Sequence, residues 1–397
     1  MATTADSAQP SLAPTPLHEW HASHGGRMVD FAGWSMPVQY GSIIEEHNAT
    51  RTAVGVFDVS HMGRLLVEGA DAAAFLDSLT TRRVANLKPG QVRYSLVCNE
   101  SGGVLDDVLV YRFVLPGGED DPPTFGLVVN ASNRETIVAW FHRHTAGKDV
   151  TVTDNTLDHA MIAVQGPKAI ELLDPITGGE LTTLRYYTGM WTTFTGCDGG
   201  PIPCFFSRTG YTGEDGGELI VPAEHAAAVW ERVVGDAKEV GGGAVGLAAR
   251  DTLRLEAGMP LYGHELSEAI NPLQAGLGFA VNLKGREFVG KDALAAASED
   301  PRQPVRIGLQ LEGKRAPREG YPVLQGPVGE GAVEGADAFE EVGVVTSGTF
   351  SPTLGRPIAM ALVKPSAAAV GERLAVDARG TELPATVTPL PFYERGK

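Results

Sequence analysis

Cysteine is scarce in this chain, and the few that occur lie far apart. The 397 residues include 3 cysteines, Cys98, Cys197 and Cys204, without a Cys-x-x-Cys pair. An odd, widely spaced set builds neither a disulfide framework nor a structural zinc site. The 10 histidines include no His-x-x-x-His or His-Glu-x-x-His pair. The sequence therefore predicts no metal centre.

Basic residues and long apolar runs are also lacking. Asp and Glu number 49 against 32 Lys and Arg, giving a formal net charge of −17. Such a balance argues against a general nucleic-acid binder, which needs a basic face. No apolar run reaches the ~18 residues of a membrane span, so we expect no membrane association. The first residues show no basic or apolar leader pattern, and we predict a cytoplasmic protein.

The composition is that of a folded protein with many turns. Hydrophobic residues make up 43% of the chain, charged residues 20%, and there are 49 Gly and 26 Pro. Residues 1–14 are rich in Ala, Ser, Thr and Pro, which predicts a disordered tail. Residues 15–300 alternate between helical and strand patterns, which predicts an α+β body, expected as two interleaved subdomains. Residues 301–397 show only short strands, five in number, which favour a small sandwich or barrel.

Two adjacent carboxylates interrupt an otherwise apolar strand. Asp106 and Asp107 lie within Val104–Val110, just after Gly102-Gly103. Successive strand residues point to opposite faces, so one of the two faces inward or into a cleft. A buried carboxylate is costly unless it is paired or functional. The alternative, that both cap the hairpin or pair with Arg112, is equally compatible with the pattern.

A glycine-rich loop precedes a further carboxylate at a strand start. In Arg208–Glu218, the glycines allow the backbone to approach a ligand closely. Tyr211 supplies a flat face with a polar tip, and Glu218 can accept two parallel hydrogen bonds from an amidine-like edge. Taken alone, the segment favours a solvated acidic turn.

The helix predicted over Gly246–Ala257 carries two arginines one turn apart. Arg250 and Arg254 share one helix face, and an arginine there can clamp an anionic or carbonyl group. The alternative is that Glu256 or Asp251 neutralises them within the helix.

Together, these segments resemble the aminomethyltransferase, or T-protein, family of the glycine cleavage system. The resemblance runs from Thr15 to Phe392. Its landmarks are Phe31–Trp34, Phe57–Met62, Gly102–Asp107, Gln165–Pro167, Gly210–Glu218, Ala249–Gly258, Leu261–Gly263 and Val345–Pro352.

The resemblance implies a folate-binding α+β body followed by a C-terminal β barrel. It implies transfer of the methylene of an S-aminomethyl-dihydrolipoyl group on H-protein to tetrahydrofolate, with release of ammonia. It also implies that Asp107 acts at the reaction centre. The residues that it assigns to folate binding are Tyr211, Glu218, Arg250, Asn130 and Tyr393.

Other folate-dependent functions remain open. A stand-alone demethylase acting on a small methyl donor is the enzymatic alternative, and a non-catalytic folate-binding factor is the other. No dinucleotide-binding half is present for a flavin, so a dehydrogenase is not favoured. Docking of an acidic carrier would need a local basic patch. Arg82-Arg83 and Lys314–Arg318 are candidates, although each also fits an ordinary solvated surface.

Three departures from the family pattern are visible. Gly217 stands where related proteins carry an apolar residue, which predicts a looser loop before Glu218. The chain stops soon after Pro391-Phe392-Tyr393, which leaves open whether Tyr393 reaches the folate. Pro116–Pro123 is an insertion that could alter the rim facing the partner. We predict that this insertion and a second one, Gly329–Glu341, are exposed loops.

Overall fold

The computed structural model describes residues 12–114, 123–326 and 339–396. In that part of the chain, an α+β body is followed by a closed β barrel. The body strands are β1 Ala13–Pro14, β2 Met28–Phe31, β3 Trp34–Pro37, β4 Gly55–Asp58, β5 Gly63–Glu68, β6 Val92–Cys98, β7 Val104–Arg112, β8 Phe125–Val129, β9 Thr151–Asp154, β10 His159–Gln165, β11 Gly189–Phe194, β12 Ile202–Ser207, β13 Gly216–Pro222 and β14 Gly243–Ala244. The barrel strands are β15 Val305–Leu311, β16 Pro322–Gln325, β17 Glu340–Ser351, β18 Arg356–Val363, β19 Arg373–Asp377 and β20 Glu382–Thr388. The α-helices are α1 His18–Ser23, α2 Ile43–Thr52, α3 Ala72–Leu79, α4 Arg134–Arg143, α5 Ala169–Leu173, α6 Ala226–Glu239, α7 Leu247–Glu256 and α8 Lys291–Glu299.

The end of the predicted tail belongs to the fold. Ala13 and Pro14 form β1, which pairs in parallel with β3, and the Ala13 amide donates to the Gly33 carbonyl at 2.9 Å. The prediction of a tail through residue 14 is thus wrong for these two residues, because composition does not show a distant strand edge. Residues 1–11 and most of both predicted insertions lie outside the described residues.

The chain passes from one sheet of the body to a second sheet and then back to the first. β4 belongs to a six-stranded sheet of order β11-β12-β13-β10-β4-β14, and the chain then leaves it to form a five-stranded sheet of order β6-β7-β8-β5-β9. It returns to the first sheet with β10. α6 covers the six-stranded sheet, with Trp230 in the core, and α3 and α4 cover the five-stranded sheet with Phe75 and Phe141.

A third cluster lies between the two sheets and α7. It contains Phe57 from β4, Tyr111 from β7, Phe205 from β12 and Leu253 from α7. Apolar side chains from both sheets meet there, so each sheet is buried on both faces in this region. Asp107 of β7 and Glu218 of β13 lie on the strand faces that line this inter-sheet region.

The C-terminal part is a six-stranded closed barrel of order β15-β18-β17-β16-β19-β20. The predicted fold class, an α+β body with a C-terminal β barrel, is confirmed. The predicted strand count of five omits Pro322–Gln325, because a proline and a length of four residues give a weak strand pattern. Residues of the barrel, Ile358 and Met360, pack against Leu255 of α7.

Two predicted helix starts have different outcomes. The segment Ser42-Ile43-Ile44-Glu45 fits a capping box, which predicts a helix start. Ser42 does cap α2, and its hydroxyl accepts a hydrogen bond from the Glu45 amide. Thr15-Pro16 has the pattern of an N-cap followed by an N1 proline, which predicts a helix from that point, but α1 begins only at His18. The Thr15 hydroxyl donates instead to the buried Asp58 carboxylate at 2.7 Å, so a tertiary contact replaces the expected N-cap.

Candidate active site

The two strand carboxylates lie on opposite faces of β7, as the alternation predicts. Asp106 shares a face with Val108 and Val110, which pack in the core beneath α3 and α4. Asp107 shares a face with Leu109 and Tyr111, which pack toward the six-stranded sheet. Asp107 therefore faces the region between the sheets.

Asn130, the first residue after β8, links both carboxylates. Its side-chain amide donates to Asp106 Oδ1 at 2.7 Å and to Asp107 Oδ1 at 2.8 Å. Asp106 also accepts from the Asn130 backbone N–H and from the Asn133 amide, and Asp107 Oδ2 accepts from the Tyr94 hydroxyl at 3.1 Å. The pairing with Arg112 is not formed, because that guanidinium lies over the Phe125 ring.

Burial determines the protonation of this pair. Burial and the neighbouring Asp107 charge raise the pKa of Asp106 to about 8, although hydrogen bonds from Asn130 and Asn133 act to lower it. Burial also raises the pKa of Asp107, although Asn130 and Tyr94 favour its ionised form. A carboxyl with a raised pKa can hold or release a proton near neutral pH.

The loop Arg208–Glu218 is built around the buried side chain of Gln165. Its amide donates to the carbonyl of Thr209 at 3.1 Å and that of Gly217 at 3.3 Å, and its oxygen accepts from the Thr212 hydroxyl. A Cβ on Gly210 would lie 1.9 Å from the Gln165 oxygen. The loop is thus tightly packed, which rules out the solvated acidic turn.

The same loop is closed at its ends by an ion pair, Arg208 Nη2 to Asp215 Oδ2 at 2.7 Å. Gly217 is not loose, contrary to expectation. It lies in β13, where a Cβ would meet the Phe206 ring at 2.1 Å. The Phe206 ring occupies the space that a side chain at position 217 would take.

Glu218 is buried in β13 with one oxygen engaged. Thr209 donates its hydroxyl to Glu218 Oε2 at 2.5 Å, and Thr209 in turn contacts the Ser207 hydroxyl at 2.8 Å. Burial raises the pKa of Glu218, while the Thr209 hydrogen bond and the Arg250 charge oppose the rise. A carboxylate held in this way on one oxygen keeps acceptor capacity for a ligand.

Arg250 and Tyr211 form the side of the site that faces Glu218. The Arg250 guanidinium lies over the Tyr211 ring, 4.8 Å from its centroid, and the Tyr211 hydroxyl donates to the Pro260 carbonyl at 2.5 Å. The buried Arg250 Nη1 has no hydrogen-bond partner among the described residues. Burial raises the pKa of Tyr211, and the charges of both Asp107 and Arg250 act on it.

The two arginines of α7 have different roles, although they share a face. Arg254 pairs with Asp251 at 2.8 Å and with Glu265 at 3.0 Å, so the predicted neutralisation holds for Arg254. Glu256 is directed elsewhere and pairs with Arg51 at 2.8 Å. Arg250 thus remains available for a ligand.

Tyr393 lies beside the glycine-rich loop, in contact with Arg51 and Glu214. The Arg51 guanidinium lies 4.0 Å from its ring centroid, and its backbone N–H donates to the Glu256 carbonyl at 2.9 Å. Burial, together with a hydrogen bond to Glu214, raises the pKa of Tyr393 to about 12. The folate-binding role assigned to Tyr393 stays a prediction, as do the roles of the other five residues.

Sequence reasoning missed two residues that organise the site. Tyr94 contacts Asp107 because β6 pairs with β7 in a register that sets Leu96 opposite Asp107, leaving Tyr94 diagonal to it. Pairing the two strands of the hairpin residue by residue from its turn could have identified Tyr94 as a neighbour of Asp107. Gln165 was noted only within the landmark Gln165–Pro167, and its role was missed because its partners in the loop lie 44 to 52 residues away.

No group of three or more His, Cys, Asp or Glu side chains in residues 12–114, 123–326 and 339–396 is arranged to hold a metal ion. In the same ranges, every helix is too short or too polar to span a bilayer.

Both parts of the chain match known protein families. Residues 17–285 match the family described as GCVT N-terminal domain, and residues 305–394 match the glycine cleavage T-protein C-terminal barrel domain. An aminomethyltransferase of Rubrobacter xylanophilus is 48% identical, over 98% of this chain and 96% of the relative. One of Streptomyces coelicolor is 45% identical, over 97% of this chain and 99% of the relative.

A solved structure agrees with these relatives. The glycine cleavage system aminomethyltransferase T from Bartonella henselae superposes with a TM-score of 0.84 at 34% identity, covering 97% of this chain and 99% of that chain. The chain therefore belongs to the glycine cleavage T-protein family of aminomethyltransferases.

Proposed function

We propose that this aminomethyltransferase acts on an S-aminomethyl-dihydrolipoyl group carried by H-protein, with tetrahydrofolate as acceptor. A folate nitrogen attacks the methylene carbon, the carbon–sulfur bond breaks, and the lipoyl sulfur returns to a thiol. A second folate nitrogen then displaces the amine as ammonia, which closes 5,10-methylenetetrahydrofolate. One observation carries the proposal: Asp107, with a raised pKa, faces the same inter-sheet region as Glu218, Arg250 and Tyr211.

The chemistry of these residues fits a pterin. The pterin edge presents an amidine-like pair of N–H donors, which a carboxylate such as Glu218 accepts in parallel. The unpartnered Nη1 of Arg250 suits an acceptor such as a carbonyl oxygen. Tyr211 offers a ring face already held by its bond to Pro260. The site thus offers Glu218 to the N–H donors of a pterin and Arg250 to its carbonyl oxygen.

We assign proton transfer to Asp107. Its Oδ1 and Oδ2 are oriented by Asn130 and Tyr94, so the carboxyl is held in one geometry before substrate arrives. Burial favours its protonated form, and departure of ammonia requires a proton on the leaving nitrogen. Asp107 can hold that proton and recover it from the attacking folate nitrogen. Asn130 acts as a positioning residue, because its side-chain amide donates to both carboxylates.

The test is single-turnover ammonia release from aminomethyl-loaded H-protein, with and without tetrahydrofolate. We expect folate-dependent ammonia and an equal amount of 5,10-methylenetetrahydrofolate. Folate binding without ammonia release would contradict the proposal and favour a demethylase or a non-catalytic folate-binding factor. A screen of small methyl donors would then separate those two. The cytoplasmic location stays a prediction, which cell fractionation tests.

A further inference from the structure

Glu46 is a buried carboxyl that the proposed reaction does not use. It belongs to α2, and only 7% of its surface is exposed. Its Oε1 accepts hydrogen bonds from the backbone N–H groups of Tyr40 at 2.7 Å and Gly41 at 3.0 Å. Its Oε2 accepts from the backbone N–H of Gly246 at 2.8 Å, 200 residues further along the chain. The two oxygens therefore connect the loop before α2 to the start of α7.

Glu46 supplies a cap that α7 lacks in its own sequence. Gly246 is the N-cap residue of α7, and a glycine has no side-chain oxygen that could accept from a backbone N–H. The first turn of the helix contains no Asp or Glu, although a helix N-terminus favours negative charge. The Glu46 carboxylate provides both an acceptor and a negative charge at this end. A residue of α2 thus caps α7.

The start of α7 is also held by close packing against Val38. A Cβ on Gly246 would lie 2.5 Å from the Val38 backbone, and the Ala248 N–H donates to the Val38 carbonyl at 3.0 Å. Only a glycine allows this approach of the two backbones. The first turn of α7 is therefore fixed by two contacts, one with Val38 and one with Glu46.

Arg250 depends on this arrangement because few other contacts hold its side chain. Its backbone N–H donates to the Gly246 carbonyl at 3.1 Å, so Gly246 is hydrogen-bonded to both Glu46 and Arg250. The Arg250 guanidinium lies over the Tyr211 ring, and its Nη1 has no hydrogen-bond partner among the described residues. The position of the guanidinium is thus set largely by where the backbone of α7 begins.

We propose that Glu46 is a positioning residue for Arg250 and thereby sets the affinity of the site for folate. The inference rests on the proposed function, because it requires that Arg250 binds the pterin. Glu46 does not contact the ligand in this account. It fixes the first turn of α7, so that the Nη1 of Arg250 is in place before the ligand arrives. Preorganisation of this kind lowers the cost of ordering the site on binding.

The experiment is a double-variant cycle in which calorimetry on the full chain measures the Kd for tetrahydrofolate. Glu46→Gln replaces one acceptor oxygen with an amide nitrogen that cannot accept, and we expect it to raise the Kd about 2- to 30-fold. In an Arg250→Ala background the same substitution should change the Kd by less than about twofold, because the group that Glu46 positions is absent. At saturating folate, single-turnover ammonia release by Glu46→Gln should stay within about twofold of wild type, because Asp107 is unaffected.

The matched control makes the same change at the neighbouring residue. Glu45→Gln alters an exposed carboxyl of the same helix and should leave the Kd unchanged. If Glu46→Gln does not fold, Glu46→Asp takes its place in both backgrounds. Asp keeps the charge on a shorter side chain, so we expect a smaller rise in Kd that is again lost without Arg250.

The cycle separates positioning from a purely structural role. An equal rise in Kd with and without Arg250 would overturn the inference and leave the proposed function standing. An unchanged Kd in Glu46→Gln would also overturn it, again without affecting the proposed function. Absence of folate binding by the wild-type chain would overturn the proposed function and the inference together.

Discussion

At the residue scale, the site depends on three carboxyls in different settings, of which Asp106 and Glu218 are buried and Asp107 is half-buried. Asp106 accepts three N–H donors and is closed off beneath the helices. Asp107 is oriented on both oxygens and faces the inter-sheet region. Glu218 is held on one oxygen by Thr209. The three carboxyls differ in how many of their oxygen lone pairs are already hydrogen-bonded. We therefore assign Asp106 a structural role, Asp107 proton transfer and Glu218 folate binding.

Replacing Asp107 with Asn should separate binding from turnover. Asp107→Asn keeps the shape of the side chain but cannot carry the proton. We expect tetrahydrofolate to bind with an unchanged Kd and the single-turnover rate to fall about 10²–10⁴-fold, measured by ammonia release. A rate within a factor of two of wild type would remove the assigned role.

Replacing Glu218 should change mainly the affinity for tetrahydrofolate. Loss of a charge-assisted pair of hydrogen bonds in Glu218→Ala should raise the Kd for tetrahydrofolate about 10- to 150-fold. Glu218→Gln, which keeps one acceptor oxygen, should fall between wild type and Ala. Calorimetry measures all three, with the exposed Glu224→Ala as control. An unchanged Kd in Glu218→Ala would disprove the assignment.

At the scale of elements, the position of Glu218 depends on how β12 and β13 pack. Ser207 of β12 pairs with Glu218 of β13, and the Phe206 ring fills the space next to Gly217. A glycine here is required by a neighbour rather than by its own backbone angles. The glycine departs from the family pattern, and Phe206 is the feature that accommodates it.

A methyl group at position 217 should therefore destabilise β13. In Gly217→Ala the ring must move, and we expect a loss of about 1–3 kcal/mol in the free energy of unfolding in urea. Phe206→Leu should restore part of this loss in the double variant. Gly235→Ala in α6, where a Cβ meets nothing within 4 Å, is the control and should gain about 0.5–1 kcal/mol. Equal effects of the two Ala variants would contradict this account.

At the scale of the whole molecule, Glu256 joins three parts of the chain. Its carboxylate accepts from His47 and Arg51 of α2 at 3.2 and 2.8 Å. It also accepts from the hydroxyls of Ser351 and Thr353 next to the barrel. Burial alone raises the pKa of Glu256, but His47 and the two hydroxyls outweigh it and lower the pKa to about 2.

The contribution of Glu256 should depend on pH in a defined direction. The pKa is lower in the folded state than the usual 4.5, so the stabilisation is complete above pH ~4.5 and is lost as pH falls toward ~2. Glu256→Gln should lose about 3 kcal/mol of unfolding free energy at pH 7, and the difference from wild type should narrow below pH 4.5.

Urea unfolding of both proteins across this pH range measures the effect. Glu312→Gln, which breaks only an exposed pair with Arg373, should change the unfolding free energy by less than about 1 kcal/mol. If the unfolding free energies of wild type and Glu256→Gln change in parallel with pH, the Glu256 carboxylate does not stabilise the contact between α2, α7 and the barrel in this way.

Much of the fold follows from local patterns. The Ser42 cap and the strand that follows Gly102-Gly103 were predicted from turn chemistry and alternation, and the structure contains both. Strand β1 and the late start of α1 were not predicted, because each depends on a partner that is distant in sequence.

The sequence by itself determined the residue types of the site and their places on strands, loops and one helix, because periodicity and turn residues act over a few positions. It did not decide between a strand carboxylate that faces a cleft and one that pairs with Arg112. Only the tertiary structure decided that, by placing Asn130 across Asp106 and Asp107, Gln165 inside the glycine-rich loop and Tyr211 beneath Arg250. The physical reason is that hydrogen bonding and burial depend on neighbours in space, which lie tens of residues apart along the chain.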